Sequence, residues 1–202
     1  MHGLERRGIG DIIGGSYSLG LEKMRKFAVR NVQLERRGAD GSTDPIRCLH
    51  LSDLHCRGWN AASQGLSEWV RTLDLDFVFV TGDFLTRDRR SLDCAERLFS
   101  GLQSRYGLYV TRGNWEVSRG PSLRKLRGLI SSWGGRLLVN EWLSFDTDRG
   151  AVRVVGLDDL ICGNPDFARC VGGNGQGFTV LLSHAPLAAR LLPPDHGVDL
   201  VL

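Results

Sequence analysis

The chain has 202 residues, 42% of them hydrophobic and 24% charged, a balance that suits one globular domain with a core large enough to need no disulfide or metal staple. No apolar run approaches the roughly 20 residues of a bilayer-spanning helix, and a formal net charge of +3 is too small to point to nucleic acid. Five cysteines, Cys48, Cys56, Cys94, Cys162 and Cys170, lack CxxC pairing, so they read as small core residues in a reducing compartment rather than as zinc ligands.

Residues 1–26, centred on "IGDIIGGSYSLG", carry Gly and charge without a sustained period and read as a poorly ordered lead-in. Basic residues gather here and just beyond: Arg6, Arg7, Lys23, Arg25, Lys26, Arg30, Arg36 and Arg37. They read as a solvated face, with contact to acidic lipid as the alternative. The domain is placed at 27–202. "FAVRNVQLE" alternates as a strand does, and "RRGADGSTDP" connects it to the apolar run "IRCLHL". In "NAASQGLSEWVRTL", Leu66, Trp69, Val70 and Leu73 share one helical face. The strand "DFVFV" follows, then a second helix "SLDCAERLFSGL" with Ser91 as N-cap and Leu92, Ala95, Phe99 and Leu102 along one side. After the strand "YGLYV", a third helix opens at Pro121 and presents Leu123, Leu126, Ile130 and Trp133. Gly134 and Gly135 end it. The runs "RLLVN", "VRVVGL", "FTVLLS" and "VDLVL" read as strands, with a Gly-rich loop "CVGGNGQG" and a short helix near "PLAARLL" between them. Helices alternating with strands, then a series of strands, imply an α/β sandwich.

Several strands end in a group suited to bind a hard cation. "IRCLHL" leads to Asp53 and His55, "DFVFV" to Asp83, "YGLYV" to Asn114 and "FTVLLS" to His184. In open α/β sheets ligands collect at the carboxyl ends of the strands. A carboxylate that bridges, imidazoles and a neutral amide oxygen together suit two divalent ions about 3.5–4 Å apart, because an all-carboxylate set would over-neutralise them. Gly82 and Gly113 directly precede two of these ligands and allow a sharp turn or close approach to an anion. His50, inside the apolar run, reads as a core or supporting histidine, while His2 and His196 carry little signal.

The segments "LSDLH", "VTGDF", "RGNWE" and "LLSHAP" resemble the calcineurin-like metallophosphoesterase superfamily, over about Phe27 to Leu202. "VVGLDDL" adds a likeness to a bacterial branch with membrane-associated phosphoesterases and a UDP-2,3-diacylglucosamine pyrophosphatase. The resemblance implies a four-layer α/β/β/α fold and hydrolysis of a phosphomonoester, phosphodiester or pyrophosphate by metal-bound hydroxide, with two manganese, iron or zinc ions. Asp53 and His55 would hold the first ion, Asp83 would bridge, and Asn114 with His184 would hold the second.

Two departures follow. The position after Asn114, usually His in the family, is Trp115, whose indole donates one N–H but has no proton to give near neutral pH. A rate loss on the order of 10²-fold is expected if nothing substitutes, with Glu116 or Arg112 as candidates, Arg112 by pairing with phosphate. A substrate with a good leaving group, such as a nucleotide diphosphate, needs the acid least. In the family the strand matching "VDLVL" runs into a Gly-His-x-His turn, and here the sequence stops at Leu202. The expectation is therefore a C-terminally truncated domain, a fragment of a longer product, in which Asp53, His55 and Asp83 serve one ion and Asp83, Asn114 and His184 the other. The expected partner is a phosphorylated small molecule or nucleotide-lipid, not nucleic acid, and the expected location is the cytoplasm, with peripheral contact at the inner membrane as a variant. A catalytically weak or inactive phosphoesterase-like binding scaffold is the alternative to an active enzyme.

Overall fold

The computed structural model of the chain describes residue 32, residues 45–172 and residues 177–202. The expected lead-in, the strand "FAVRNVQLE" apart from Val32, and the basic cluster lie outside the described residues, as do positions 173–176 of the Gly-rich loop.

The first sheet is parallel throughout, in the order β1 (Cys48–Leu51), β2 (Phe77–Thr81), β3 (Leu108–Thr111), β4 (Gly135–Leu137). Parallel neighbours need crossovers, and α1 (Ala61–Val70), α2 (Arg90–Phe99), then α3 (Asn114–Arg119) with α4 (Leu123–Ser132) supply them. Asn60 starts α1, its Oδ1 accepting from the N–H groups of Ala62 and Ser63. Strand β2 is buried at every position, which is why "FVFVT" is apolar without alternation. One of its faces, Val78 and Val80, packs with Val110 against helical Leu66, Val70, Leu98, Phe99, Leu126 and Ile130. The other face carries Phe77, Phe79 and, from β3, Tyr109, and it meets a second sheet.

That second sheet runs β5 (Glu141–Thr147), β6 (Gly150–Gly156), β7 (Phe178–Leu182), β8 (Leu200–Val201), with β5 and β6 antiparallel and the remaining pairs parallel. Its inner residues Val152, Val154, Val180 and Leu182 pack on the aromatic face of the first sheet. On its outer side Val155, Leu157 and Leu181 lie under Cys170 of α5 (Phe167–Cys170) and Ala188 of α6 (Ala188–Leu191). Helices, sheet, sheet and helices form the four layers that the sequence implies. Gly156 at the end of β6 packs tightly on Leu138, just past β4, where an added Cβ would collide.

The local differences have physical reasons. Ser91 is not the N-cap of α2: it is buried and its Oγ accepts from the N–H of Thr86, while the Asp88 carboxylate takes the N–H of Arg90 at the start of the helix. The buried face of α2 runs through Cys94, Ala95, Leu98 and Phe99, with Leu92 and Leu102 at its margin. Leu123 of α4 is exposed. Strand β5, an addition to the strands expected from the sequence, turns Leu143 and Phe145 inward and Trp142 outward. Of the five cysteines, Cys48 and Cys162 are exposed rather than in the core.

Candidate metal centre

The strand-end groups gather at one edge of the sandwich. Carboxylate and imidazole atoms of Asp53, Asp83 and His184 all lie within 4.8 Å of one another. Asn114 joins them through Oδ1, 3.1 Å from His184 Nε2. His55 reaches Asp83, with Nε2 3.8 Å from Oδ2. So Asp83 Oδ2 sits between two imidazoles, His184 Nε2 being 3.5 Å away on the other side.

Local backbone geometry sets this up. Asp53, His55 and Asp83 have φ of 54°, 40° and 51°, a left-handed region that non-glycine residues enter at a cost and that clusters at functional sites. Loop hydrogen bonds hold them there: Asp53 N–H donates to Gly82 O at 3.2 Å and His55 N–H to Asp83 O at 2.9 Å. Gly82 has φ of 84°, and a side chain there would strike the backbone of Gly113; a side chain on Gly113 would strike the Asp83 carboxylate. Both glycines are dictated by close approach.

Asp53, Asp83 and His184 are each oriented from behind. Asp53 Oδ2 accepts from Ser52 Oγ at 2.6 Å. Asp83 Oδ1 accepts from the backbone N–H of Trp115 at 2.9 Å, which leaves Oδ2 for the centre. His184 Nδ1 lies 2.9 Å from the carbonyl of Thr81. A carbonyl only accepts, so Nδ1 carries the hydrogen and Nε2 presents its lone pair inward. Three acceptors, His184 Nε2, Asn114 Oδ1 and Asp83 Oδ2, then face one another, and either a proton on Nε2 or a shared cation must reconcile them. A hard-to-borderline donor set of carboxylate, amide oxygen and imidazole suits a divalent transition ion.

Glu116 is the functional residue that strand-end reasoning underrates. Buried, with 1% of its surface exposed, it accepts N–H groups from Asp83 (2.7 Å), Leu85 (2.9 Å) and Gly113 (3.0 Å). One carboxylate thus ties the loop after β2 to the loop after β3. Burial pushes its carboxyl up to about 7, against the pull of those three donors. The signal in the sequence is Glu116 three residues after Gly113, the spacing at which a glutamate early in a helix reaches back to the N–H of the residue that precedes the helix. Because both its oxygens are engaged by backbone, Glu116 is a positioning residue rather than a proton donor.

Arg112 differs from the phosphate-pairing role expected of it. Its guanidinium makes a two-pronged contact to Asp158, Nε to Oδ1 at 2.9 Å and an Nη to Oδ2 at 2.7 Å, and both side chains are largely buried. Trp115 stands beside the centre, its ring edge-on to His55 with centroids 5.3 Å apart and the Arg119 guanidinium 4.5 Å over it. His50 supports rather than packs: Nε2 lies 2.6 Å from Thr81 Oγ1, and Thr81 is the residue whose carbonyl fixes His184.

The sequence model described as calcineurin-like phosphoesterase matches residues 46–202. The chain belongs to that family. This calcineurin-like phosphoesterase is 26% identical over 161 residues to the uncharacterized metallophosphoesterase YkoQ of Bacillus subtilis, an alignment covering 78% of this chain and 60% of that protein. The chain therefore spans less than two thirds of that relative's length. A solved phosphopantetheinyl hydrolase from Mycobacterium tuberculosis aligns with a TM-score of 0.44 at 14% identity, covering 76% of each chain. Metal-dependent phosphoester hydrolysis is the chemistry that membership of this family implies. Among the described residues no helix is long and apolar enough to cross a membrane.

Proposed function

We propose that this phosphoesterase domain hydrolyses a small phosphorylated molecule with two divalent cations, Asp83 lying between a position served by Asp53 and His55 and one served by Asn114 and His184. The observation that supports it is the convergence of the His184 Nε2 lone pair, Asn114 Oδ1 and Asp83 Oδ2 with Asp53 alongside. Divalent cations, when bound, supply Lewis acidity at a phosphoryl oxygen and lower the pKa of water. The chain's own groups do the rest. Ser52, Thr81 and the Trp115 N–H hold the ligating atoms in place, Glu116 fixes the two loops, and the Trp115 indole walls one side of the approach to His55.

None of the three residues that the sequence offers at the usual position of the general acid is free to give a proton: Trp115 has none to give, Arg112 is held by Asp158, and Glu116 is held by three N–H donors. This favours substrates whose leaving group departs without protonation, such as aryl phosphates or phosphoanhydrides. The same observation supports a second reading, a phosphoesterase-like scaffold that binds its ligand and turns it over weakly. Hydrolysis of p-nitrophenyl phosphate and its bis-ester with added manganese, alongside direct titration of Mn²⁺ binding, separates the two. Active wild type and inactive Asp83→Asn with lost Mn²⁺ binding support the enzyme. Hydrolysis that survives Asp83→Asn would assign the activity to another site.

A further inference from the structure

Beside the metal centre lies a cleft of about 370 Å³ lined by His55, Arg57, Thr86, Arg87, Asp88 and Trp115. Its volume falls in the range of small-molecule sites. It shares His55 and Trp115 with the centre, so a ligand seated at the cations extends into it. We infer that this cleft binds a second phosphate group of the substrate, through Arg57 and Arg87, and that the preferred substrate is a small molecule with at least two phosphate groups. The inference rests on the phosphohydrolase reading of the adjoining centre.

The charge of the cleft is the first support. Its one carboxylate, Asp88, is already neutralised, accepting from Arg90 Nε at 3.1 Å and from an Nη at 2.7 Å. Arg57 and Arg87 are both exposed, and among the described residues neither guanidinium has a hydrogen-bond or ion-pair partner. Two unpaired cations beside a neutralised acid leave the cleft positive, and guanidinium forks match phosphate oxygens in pairs.

Preorganisation is the second support. The two arginines sit on separate loops that are laced together. Cys56 N–H donates to Phe84 O at 2.9 Å, and Thr86 Oγ1 donates back to Cys56 O at 3.0 Å. The N–H groups of Asp88 and Thr86 are taken in turn by Thr86 Oγ1 and Ser91 Oγ. Arg57 and Arg87 are therefore projected from a fixed frame one residue beyond each lacing point, and the opposite wall is an indole already braced by His55 and Arg119. A frame of this kind binds without first ordering its loops, which favours affinity.

The test is calorimetric titration of the manganese-loaded full chain with methylphosphonate, methylenediphosphonate and propane-1,3-diphosphonate, none of which is hydrolysed. Wild type is expected to bind one of the diphosphonates at least about tenfold more tightly than methylphosphonate, the size of one charge-assisted pair. The tighter diphosphonate tells whether the second phosphate is bridged directly to the first or set apart from it. Arg57→Ala and Arg87→Ala should each weaken that diphosphonate about tenfold and leave methylphosphonate unchanged, which separates guanidinium recognition from chelation of the cations. Equal affinity for one and two phosphonates, or equal loss for both in the arginine variants, overturns the inference. The metal centre is judged apart from this: Mn²⁺ titration of Arg57→Ala and Arg87→Ala should match wild type, whereas a wild-type chain that binds no Mn²⁺ would sink the phosphohydrolase reading itself.

Discussion

Asp83 is held in a left-handed conformation with one oxygen fixed by Trp115 and the other aimed between two imidazoles. Without a cation that second oxygen meets other acceptors, so function and stability pull against each other at this residue. Asp83→Asn keeps an acceptor for the Trp115 N–H and places an amide donor where the lone pairs converge. The metal-free variant should melt no lower than metal-free wild type, while its Mn²⁺ affinity falls at least 100-fold; a clear drop in melting temperature would show that the carboxylate is structural. Trp115 allows a second comparison. If the absent general acid limits the rate, Trp115→His should raise turnover of alkyl phosphates by about 10–100-fold and change aryl phosphates little. Equal effects on both would refute that account. Glu116→Gln exchanges one acceptor for a donor against a backbone N–H, and a loss of about 2 kcal/mol in urea unfolding is expected.

At the scale of elements, the strand-end loops are set by close contacts that only glycine permits. Gly113→Ala puts a methyl group against the Asp83 carboxylate, and its cost should be about 3 kcal/mol, read by thermal unfolding, with Mn²⁺ binding weakened in parallel. Apolar runs and their turn residues made β1, β2, β3 and the carboxyl-end positions legible in sequence. Asp53, Asp83, Asn114 and His184 stand out in the sequence because each follows an apolar strand within two or three residues, where the chain turns at the edge of the sheet. Strand β5 is legible in the alternation of Leu143 and Phe145 with Ser144 and Asp146 ahead of the turn residues "DRG", although Ser, Asp and Glu lower the strand propensity of the run. Short α3 was missed because its six residues owe their helicity to Glu116 and its tertiary N–H partners, not to a periodic apolar face. The Arg112–Asp158 pair joins residues 46 positions apart, and no local pattern announces such a contact.

For the whole molecule, that pair and the bond from Thr111 Oγ1 to Leu157 O, 2.6 Å, are polar ties between the two sheets. Burial alone would raise the Asp158 carboxyl, but Arg112 and the N–H groups of Asn164 and Asp159 outweigh it and hold it below the ordinary range. A carboxyl with a depressed folded-state pKa stabilises the fold at pH above the ordinary aspartate value of 3.8 and loses that contribution as pH falls through the folded value. Asp158→Ala should therefore cost about 3 kcal/mol near neutral pH, because it strands a buried guanidinium, and the gap to wild type should narrow below the ordinary aspartate range in urea titrations. His184 comes from the second sheet, whereas Asp53, Asp83 and Asn114 come from the first, and its ring is fixed by Thr81 across the boundary. An ion held by these residues would fasten the halves of the sandwich like a rivet. Added manganese should accordingly slow amide exchange in β7 as well as β2, and His184→Ala should confine the protection to the first half.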